Sequence, residues 1–407
     1  MQLNFKIIIT TLFGLNLLLI LPQWRSEIEL KTRAIPNDSK IEIETKETSE
    51  VVSQPKQFLK PEIDKLIAEK GGLYNPPRGD VRLLVISDLN SAYGSTDYDP
   101  EVKLGLDLIP FWQPDLVVCS GDMIAGQNPS LTVAEIRAMW AAFEEKIAQP
   151  LREAQMPFGF TIGNHDASSA VGFDRDKFLF QQERDLAREY WQKPEHNPGV
   201  KFIDRFEFPF YYTFEDKGIF FLVWDGSSSR IPPEKLAWVE KSLASKQAQQ
   251  AKMRMIIGHL PLYAVSVGRD SPGEVLDNAQ QLQQMLEKYD VHTYISGHQH
   301  SYYPGHRGDL QLLHTGILGS GPRPLIAGDA PAIKTITVVD INFDESELTT
   351  YTTYNMETFE LILYQQLPRL LMGHNGMVLR RDIDVRDLTT TEKITCQNKL
   401  GPKLCQN

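Results

Sequence analysis

Five short clusters of metal-binding residue types are spread over more than two hundred positions of this 407-residue chain. They are Asp88-Leu89-Asn90, Gly121-Asp122, Gly163-Asn164-His165-Asp166, Gly258-His259 and Ser296-Gly297-His298-Gln299-His300. Neutral imidazole is the commonest metal ligand, and carboxylate and amide oxygens suit hard divalent ions. The last cluster follows an apolar run, residues 291–295, that reads as a short buried strand. Two imidazoles at i and i+2 just past a strand point the same way if the chain stays extended. Gly297 removes a side chain where the backbone must turn. Alone, such a pair is also what a polar loop supplies; the other four clusters change its meaning.

Residues so far apart meet only if ordered elements carry them together. Residues 81–86, 115–119 and 158–162 read as strands, with helical stretches at 100–112 and 132–155 between them. Strand, helix, strand, helix, strand predicts a largely parallel, buried sheet with helices on its faces. Residues 173–192 read as a helix at the rim. Residues 211–214 and 219–224, around Glu215-Asp216-Lys217-Gly218, read as a β-hairpin. A helix over 232–246 follows with Pro in its first turn, then a strand at 254–257, a helix over 275–289 and the strand at 291–295. Three more strands are expected at 310–314, 334–341 and 347–354. Two β-rich halves with helices outside predict a two-sheet sandwich. Each cluster directly follows a predicted strand, where α/β sheets place their ligands.

The order Asp-x-(His/Asn), Gly-Asp, Gly-Asn-His-Asp, Gly-His, Gly-His-x-His resembles the calcineurin-like metallophosphoesterase family, over residues 81–354. The resemblance implies a four-layer α/β/β/α sandwich and a dinuclear site with two divalent metal ions (Mn, Fe, Zn or Mg). It further implies hydrolysis of a phosphate mono- or diester by a metal-bridging hydroxide. By matching positions, Asp122 would bridge both metals, Asp88 and His300 would bind the first, and Asn164, His259 and His298 the second. His165 would contact the phosphate and protonate the leaving oxygen, with Asp166 orienting its ring. Asn90 departs from the His that many members carry there; its amide oxygen is a weaker donor to first-row metals than imidazole. It is expected to ligate the first metal directly or through water, biasing that site toward Mn²⁺, Mg²⁺ or Fe²⁺. The purple acid phosphatase branch places Tyr three residues after the bridging Asp; here that residue is Ala125. A ferric-tyrosinate site is therefore not expected.

Composition is that of an ordinary globular chain, 42% hydrophobic and 10% aromatic, with a net charge of −11. No basic run interleaved with aromatics points to nucleic acid. An acidic surface still admits a phosphate ester as small-molecule substrate if bound metals make the site locally positive. Residues 7–21 form an apolar run of 15 after Lys6, the length of a signal-peptide core and short for a spanning helix. No small-x-small cleavage site follows, so residues 1–25 are expected to be a signal peptide or an N-terminal membrane anchor. Either way the protein is expected to be exported: periplasmic, secreted or anchored. Residues 26–78 read as a polar linker with a short helix over 61–70, residues 79–355 as the catalytic domain, and 356–407 as a C-terminal extension. Within the extension, 359–372 is apolar enough for a helix packed on the domain, and the end reads as loose. Cys119 reads as a core thiol; Cys396 and Cys405 are either a small disulfide loop or two free thiols.

Other residues carry weaker signals. His196, His292 and His374 read as surface or packing groups. His306 and His314 follow the pair closely enough to reach substrate. Asp225 reads as a turn residue or a partner of the ligands, and Tyr302, Tyr303 and Arg323 as pocket lining or packing. Two other readings remain: a catalytically impaired metal-binding scaffold, with Asn90 as a first sign of decay, and a membrane-anchored interaction protein. The His165-Asp166 pair speaks against the scaffold, which needs no non-ligating histidine.

Overall fold

The apolar runs lack the polar alternation of a half-exposed sheet, so they need cover on both faces. The computed structural model, which describes residues 59–172 and 177–405, provides that cover. The apolar run 7–21 lies outside the described residues, as does the linker up to residue 58. The first of two mixed sheets has the order β12 (Thr349–Asn355), β11 (Thr335–Ile341), β1 (Val81–Ile86), β2 (Leu116–Cys119), β3 (Phe158–Phe160). Strands β1, β2 and β3 run parallel. The second sheet has the order β13 (Leu370–Gly373), β14 (Gly376–Arg380), β9 (Tyr302–Arg307), β10 (Leu310–Thr315), β8 (Thr293–Ser296), β7 (Met253–Ile257), β6 (Ile219–Val223), β5 (Tyr211–Asp216), β4 (Lys201–Glu207). Its centre, β6, β7, β8 and β10, is parallel, and its margins are antiparallel.

The two sheets face each other. The Tyr212 hydroxyl in β5 accepts from Phe160 N of β3 at 3.1 Å and donates to Phe160 O. Thr335 Oγ1 of β11 donates to Thr315 O of β10 at 3.0 Å. Helices flank the sheets: α1 (Pro61–Glu69), α2 (Pro100–Asp107), α3 (Ile109–Trp112), α4 (Val133–Phe143), α5 (Gln149–Glu153), α7 (Gln181–Trp191), α8 (Pro233–Leu243), α9 (Lys246–Gln250), α10 (Ala279–Lys288) and α11 (Thr390–Leu400), while the short α6 (Asn164–Ala167) follows β3 directly. Helix α4 starts at a capping box, Thr132 with Glu135, and buries Ile136, Met139, Trp140 and Phe143. Trp140 stacks on Tyr190 of α7 at 4.7 Å, and Trp191 on Phe160 at 3.9 Å, an aromatic seam between helix layer and sheet. The expected two sheets flanked by helices are therefore present. Among the described residues no helix is long and apolar enough to cross a membrane.

Several elements differ from the sequence reading. The helix expected over 100–112 breaks at Leu108 into α2 and α3, and that over 132–155 into α4, a π-helical turn (Glu144–Ala148) and α5. Pro110 and Pro150 explain both breaks, since each removes a ladder N–H and crowds the carbonyl four residues back. Strand β4 was hidden because its edge position leaves most of it exposed; β9 was hidden by Pro304-Gly305. The helix expected over 359–372 is absent. Pro368 forces the preceding residue into extended chain, and the segment forms a 3₁₀ turn (Tyr364–Gln366) and then β13. Nor is the tail loose. Helix α11 is tied by a Cys396–Cys405 disulfide and packs with Leu370, Met377 and Leu379 of β13 and β14 in a small second core. Cys119 is a buried free thiol, as expected.

Two histidines, one buried and one half-buried, give this fold an acid limit. His314 sits in β10 with its ring nitrogens 3.2 Å from the carbonyls of Tyr303 and Tyr263. Burial holds its pKa down to about 4; burial and the Arg381 charge do the same to His292. Below the usual histidine value of 6.5 the unfolded chain takes up protons that the folded chain refuses. Stability is then complete above pH 6.5 and falls as pH drops toward 4, by up to about 3 kcal/mol for one such histidine. Urea midpoints measured across this window should show the decline, and His314→Gln should flatten it. An equally steep decline in the variant would remove His314 from the account.

Candidate metal centre

The three parallel strand ends of the first sheet and the β7 and β8 ends of the second open onto one seam. Asp88 follows β1, Asp122 follows β2, Asn164 opens α6 after β3, His259 follows β7, and His298 and His300 follow β8. The backbone turns sharply at these points: φ is +49° at Asp88, +55° at Asp122, +64° at His298 and +55° at His300. Such left-handed conformations are uncommon for non-glycine residues and gather at functional sites. Hydrogen bonds between loops hold them: Asp88 N–H donates to Gly121 O at 3.0 Å, Leu89 N–H to Asp122 O at 2.8 Å, and Gly297 N–H to His259 O at 3.0 Å. A Cβ on Gly297 would stand 2.3 Å from Ser87 Oγ and 2.5 Å from Asp88 Oδ2, so only glycine lets the loops of the two sheets touch there.

These kinks also correct the expectation that His298 and His300 share a direction through extended chain. With both in the left-handed region, they serve different neighbours. His300 Nδ1 donates to Gly321 O at 2.9 Å, which leaves Nε2 as a lone pair 3.2 Å from Asp88 Oδ1. His298 Nδ1 lies 2.8 Å from Asn164 Oδ1, while its Nε2 lies 2.8 Å from Glu274 Oε2.

The remaining contacts repeat that pattern. His259 Nδ1 donates to Ser120 O at 2.8 Å, leaving Nε2 2.8 Å from Asn164 Oδ1 and 3.3 Å from Asp122 Oδ2. Asp122 Oδ2 and His300 Nε2 are buried and make no well-formed hydrogen bond. Asp88, Asp122 and His259 place one ligand atom each within 4.8 Å of one another, all buried. Acceptors facing acceptors away from water repel, and only a proton or a cation between them resolves this. Burial penalises the His259 imidazolium, but the Asp122 and Asp88 carboxylates outweigh it and push its pKa up to about 9. Burial and the Arg269 guanidinium hold His298 far below its usual value. The donor set, two carboxylates, an amide oxygen and three imidazoles, fits divalent cations.

Asp166 does not orient His165. Its carboxylate accepts from Met123 N at 2.7 Å, Ile124 N at 2.9 Å and Gly163 N at 2.8 Å, tying the Asp122 turn to the Asn164 turn. All three of these donors are backbone N–H groups, and the ring of His165 is held instead by Gly126 O, 3.1 Å from Nδ1. His165 N–H donates to Asp122 Oδ1 at 2.8 Å, and its ring lies 5.1 Å from that of Tyr93.

Sequence reading missed the residues that aim the ligands. Gln127 Oε1 accepts from Asn164 Nδ2 at 2.6 Å, turning the amide oxygen toward the histidines; Glu183 holds Gln127 N at 3.0 Å. Glu274 fixes His298 and pairs with Arg269 at 3.0 Å. None belongs to a motif, and their spacing carries no signal. Asn90 is buried, and its N–H donates to Asp122 O at 3.2 Å, but its side chain makes no hydrogen bond among the described residues. Asp225 is a partner at one remove, paired in the interior with Arg184, which in turn donates to Ala167 O. His306 and His314 serve backbone carbonyls, and Tyr303 donates to Pro368 O.

A cleft of about 370 Å³ adjoins the centre, with Tyr93, His165, Ser228, Arg269, Glu274 and Arg323 among its walls. The sequence model for calcineurin-like phosphoesterases matches residues 81–302. The chain belongs to the calcineurin-like phosphoesterase family. Among solved structures it is similar to a purple acid phosphatase from yellow lupin (Lupinus luteus) seeds, at 16% identity and TM-score 0.49 over 72% of this chain and 54% of that one. It is also similar to a dimetal phosphatase from Danio rerio, at 14% identity and TM-score 0.45 over 68% of this chain and 95% of that one. GAP50, the anchor in the inner membrane complex of Plasmodium, matches at 15% identity and TM-score 0.41 over 79% of this chain and 94% of that one. The chain spans about half the length of the lupin protein, and likenesses of this size say nothing of substrate or partner. No curated protein matches the sequence.

If Glu274 fixes the tautomer of His298, Glu274→Gln should weaken metal binding roughly 10- to 100-fold, the usual effect of losing a carboxylate behind a ligand histidine. Equilibrium dialysis against Mn²⁺ or Zn²⁺ measures this. Unchanged affinity would reduce Glu274 to a partner of Arg269.

Proposed function

We propose that the protein is a metal-dependent phosphoesterase acting on a phosphate mono- or diester. In this reading Asp88, Asp122 and His300 hold one divalent cation, and Asp122, Asn164, His259 and His298 hold a second. The observation that supports it best is the buried crowd of lone pairs, with Asp122 Oδ2 and His300 Nε2 left without hydrogen-bond partners. Cations held there supply Lewis-acid polarisation of the phosphate and bring the pKa of water toward neutrality.

The rest falls to the chain's own groups. Gln127 and Glu274 fix the orientation of Asn164 and His298, so no reorganisation is needed when charge develops. His165, with Nδ1 committed to Gly126 O, leaves Nε2 as the ring nitrogen free to pass a proton to the departing alcohol oxygen. Asp166 acts as a clamp on the two ligand-bearing turns. Asn90 is a weak oxygen ligand of the first cation, direct or through water, which biases that site toward Mn²⁺, Mg²⁺ or Fe²⁺. Export, with or without anchoring through residues 7–21, is supported by the Cys396–Cys405 disulfide.

Purified protein supplied with Mn²⁺ should hydrolyse p-nitrophenyl phosphate or its bis-ester. His165→Asn should lower kcat by roughly 10²- to 10⁴-fold with metal content unchanged by elemental analysis. Hydrolysis of neither ester by metal-loaded protein would favour the non-catalytic scaffold, and a matching loss of metal in the variant would make His165 structural. Asn90→His should tighten metal binding at one site; no gain there would remove residue 90 from the ligand set.

A further inference from the structure

One cation in the cleft makes no ion pair among the described residues. Arg269 is paired with Glu274 at 3.0 Å. Arg323 is not: among the described residues no carboxylate or carbonyl accepts a hydrogen bond from its guanidinium, and its Nε is buried without a partner. A partly buried guanidinium left unpaired beside another positive group is destabilising. Burial and the Arg269 charge hold its pKa below the usual arginine value against the opposing pull of the nearby Glu274 carboxylate. Its backbone is fixed to the metal centre. Arg323 N–H donates to His300 O at 3.0 Å, and Gly321 O holds His300 Nδ1 at 2.9 Å. Room for the guanidinium is provided by Gly268, at φ +78°, where a Cβ would stand 2.8 Å from Arg323 Nη1. Arg323 lines both the site cleft and a smaller recess of about 140 Å³ beside it, whose other walls include Tyr302, Leu325, Ile333 and Leu361.

We propose that Arg323 is a specificity residue that receives a second anionic group of the substrate, a carboxylate or a further phosphate, apart from the phosphate being hydrolysed. A guanidinium presents a rigid fork of N–H donors matched to such oxyanions. Its attachment to His300 sets the separation between this anion and the metal centre. The preferred substrate is then a phosphate ester whose alcohol part is itself negatively charged. This assignment rests on the phosphoesterase reading and narrows it.

Calorimetric titration of the full-length, Mn²⁺-loaded protein with 3-phosphonopropionate and with propylphosphonate tests it without turnover. The two ligands share a phosphonate and differ in a terminal carboxylate or methyl. Wild type should bind the carboxylate ligand roughly tenfold or more tightly, the usual worth of a charged hydrogen-bonded pair. Arg323→Gln should erase that preference while leaving propylphosphonate binding within about twofold, and Arg323→Lys should keep part of it. Equal binding of the two ligands by wild type, or equal weakening of both in Arg323→Gln, overturns the assignment while leaving the phosphoesterase reading intact. If neither phosphonate binds and no phosphate ester is turned over, both fall together.

Discussion

Lone pairs that face one another away from water dictate the rest of this structure. His259 Nε2, Asn164 Oδ1 and Asp122 Oδ2 lie within hydrogen-bonding distance or just beyond it, and His298 Nδ1 and the Asp88–His300 pair complete the ring. Each imidazole has its other nitrogen committed elsewhere: to Ser120 O, to Glu274 or to Gly321 O. Those outer bonds fix the tautomers, so the inner nitrogens have no proton to offer while neutral. A site of this kind opposes its own formation unless positive charge enters it. The surrounding fold therefore has to hold it by force of packing.

That force comes from strands buried on both faces. Residues of β1, β2, β6, β8 and β11 are all buried, and the ligands follow such strands by a few residues. Four ligand-bearing positions sit in left-handed backbone, a strain on the order of 1–3 kcal/mol each. Asp166, with three backbone N–H groups on one carboxylate, locks two of the loops together. Its place in the Gly-Asn-His-Asp motif is thus explained by architecture and not by contact with the reacting atoms.

Much of this was legible in the residues. The strand ends, the five clusters and the two-sheet plan follow from apolar runs punctuated by Gly and Asp, because buried parallel strands leave a plain signature. What was not legible has physical reasons. An exposed edge strand such as β4 has no buried face to imprint a pattern. The breaks at Pro110 and Pro150 were readable, since proline inside a helix has a known effect. Residues such as Gln127, Glu183 and Glu274 act through single hydrogen bonds reached across the fold, and one-dimensional spacing does not encode them. The role first read for Asp166 shows the converse: a motif gives residue types, while the partner of a carboxylate is decided by which donors crowd around it.

The charge distribution carries the last step. The chain bears a net −11, yet the cleft beside the centre gathers Arg269 and Arg323. Surface charges are screened beyond about 8 Å at physiological ionic strength, so an anion that reaches the mouth of the cleft feels the local cations more than the acidic exterior. Lining arginines and incoming metal ions act in the same sense there. Glu274 moderates that field without cancelling it, already engaged with Arg269. Among the described residues, an acidic chain thus sets two arginines in the wall of the cleft beside its metal-binding groups.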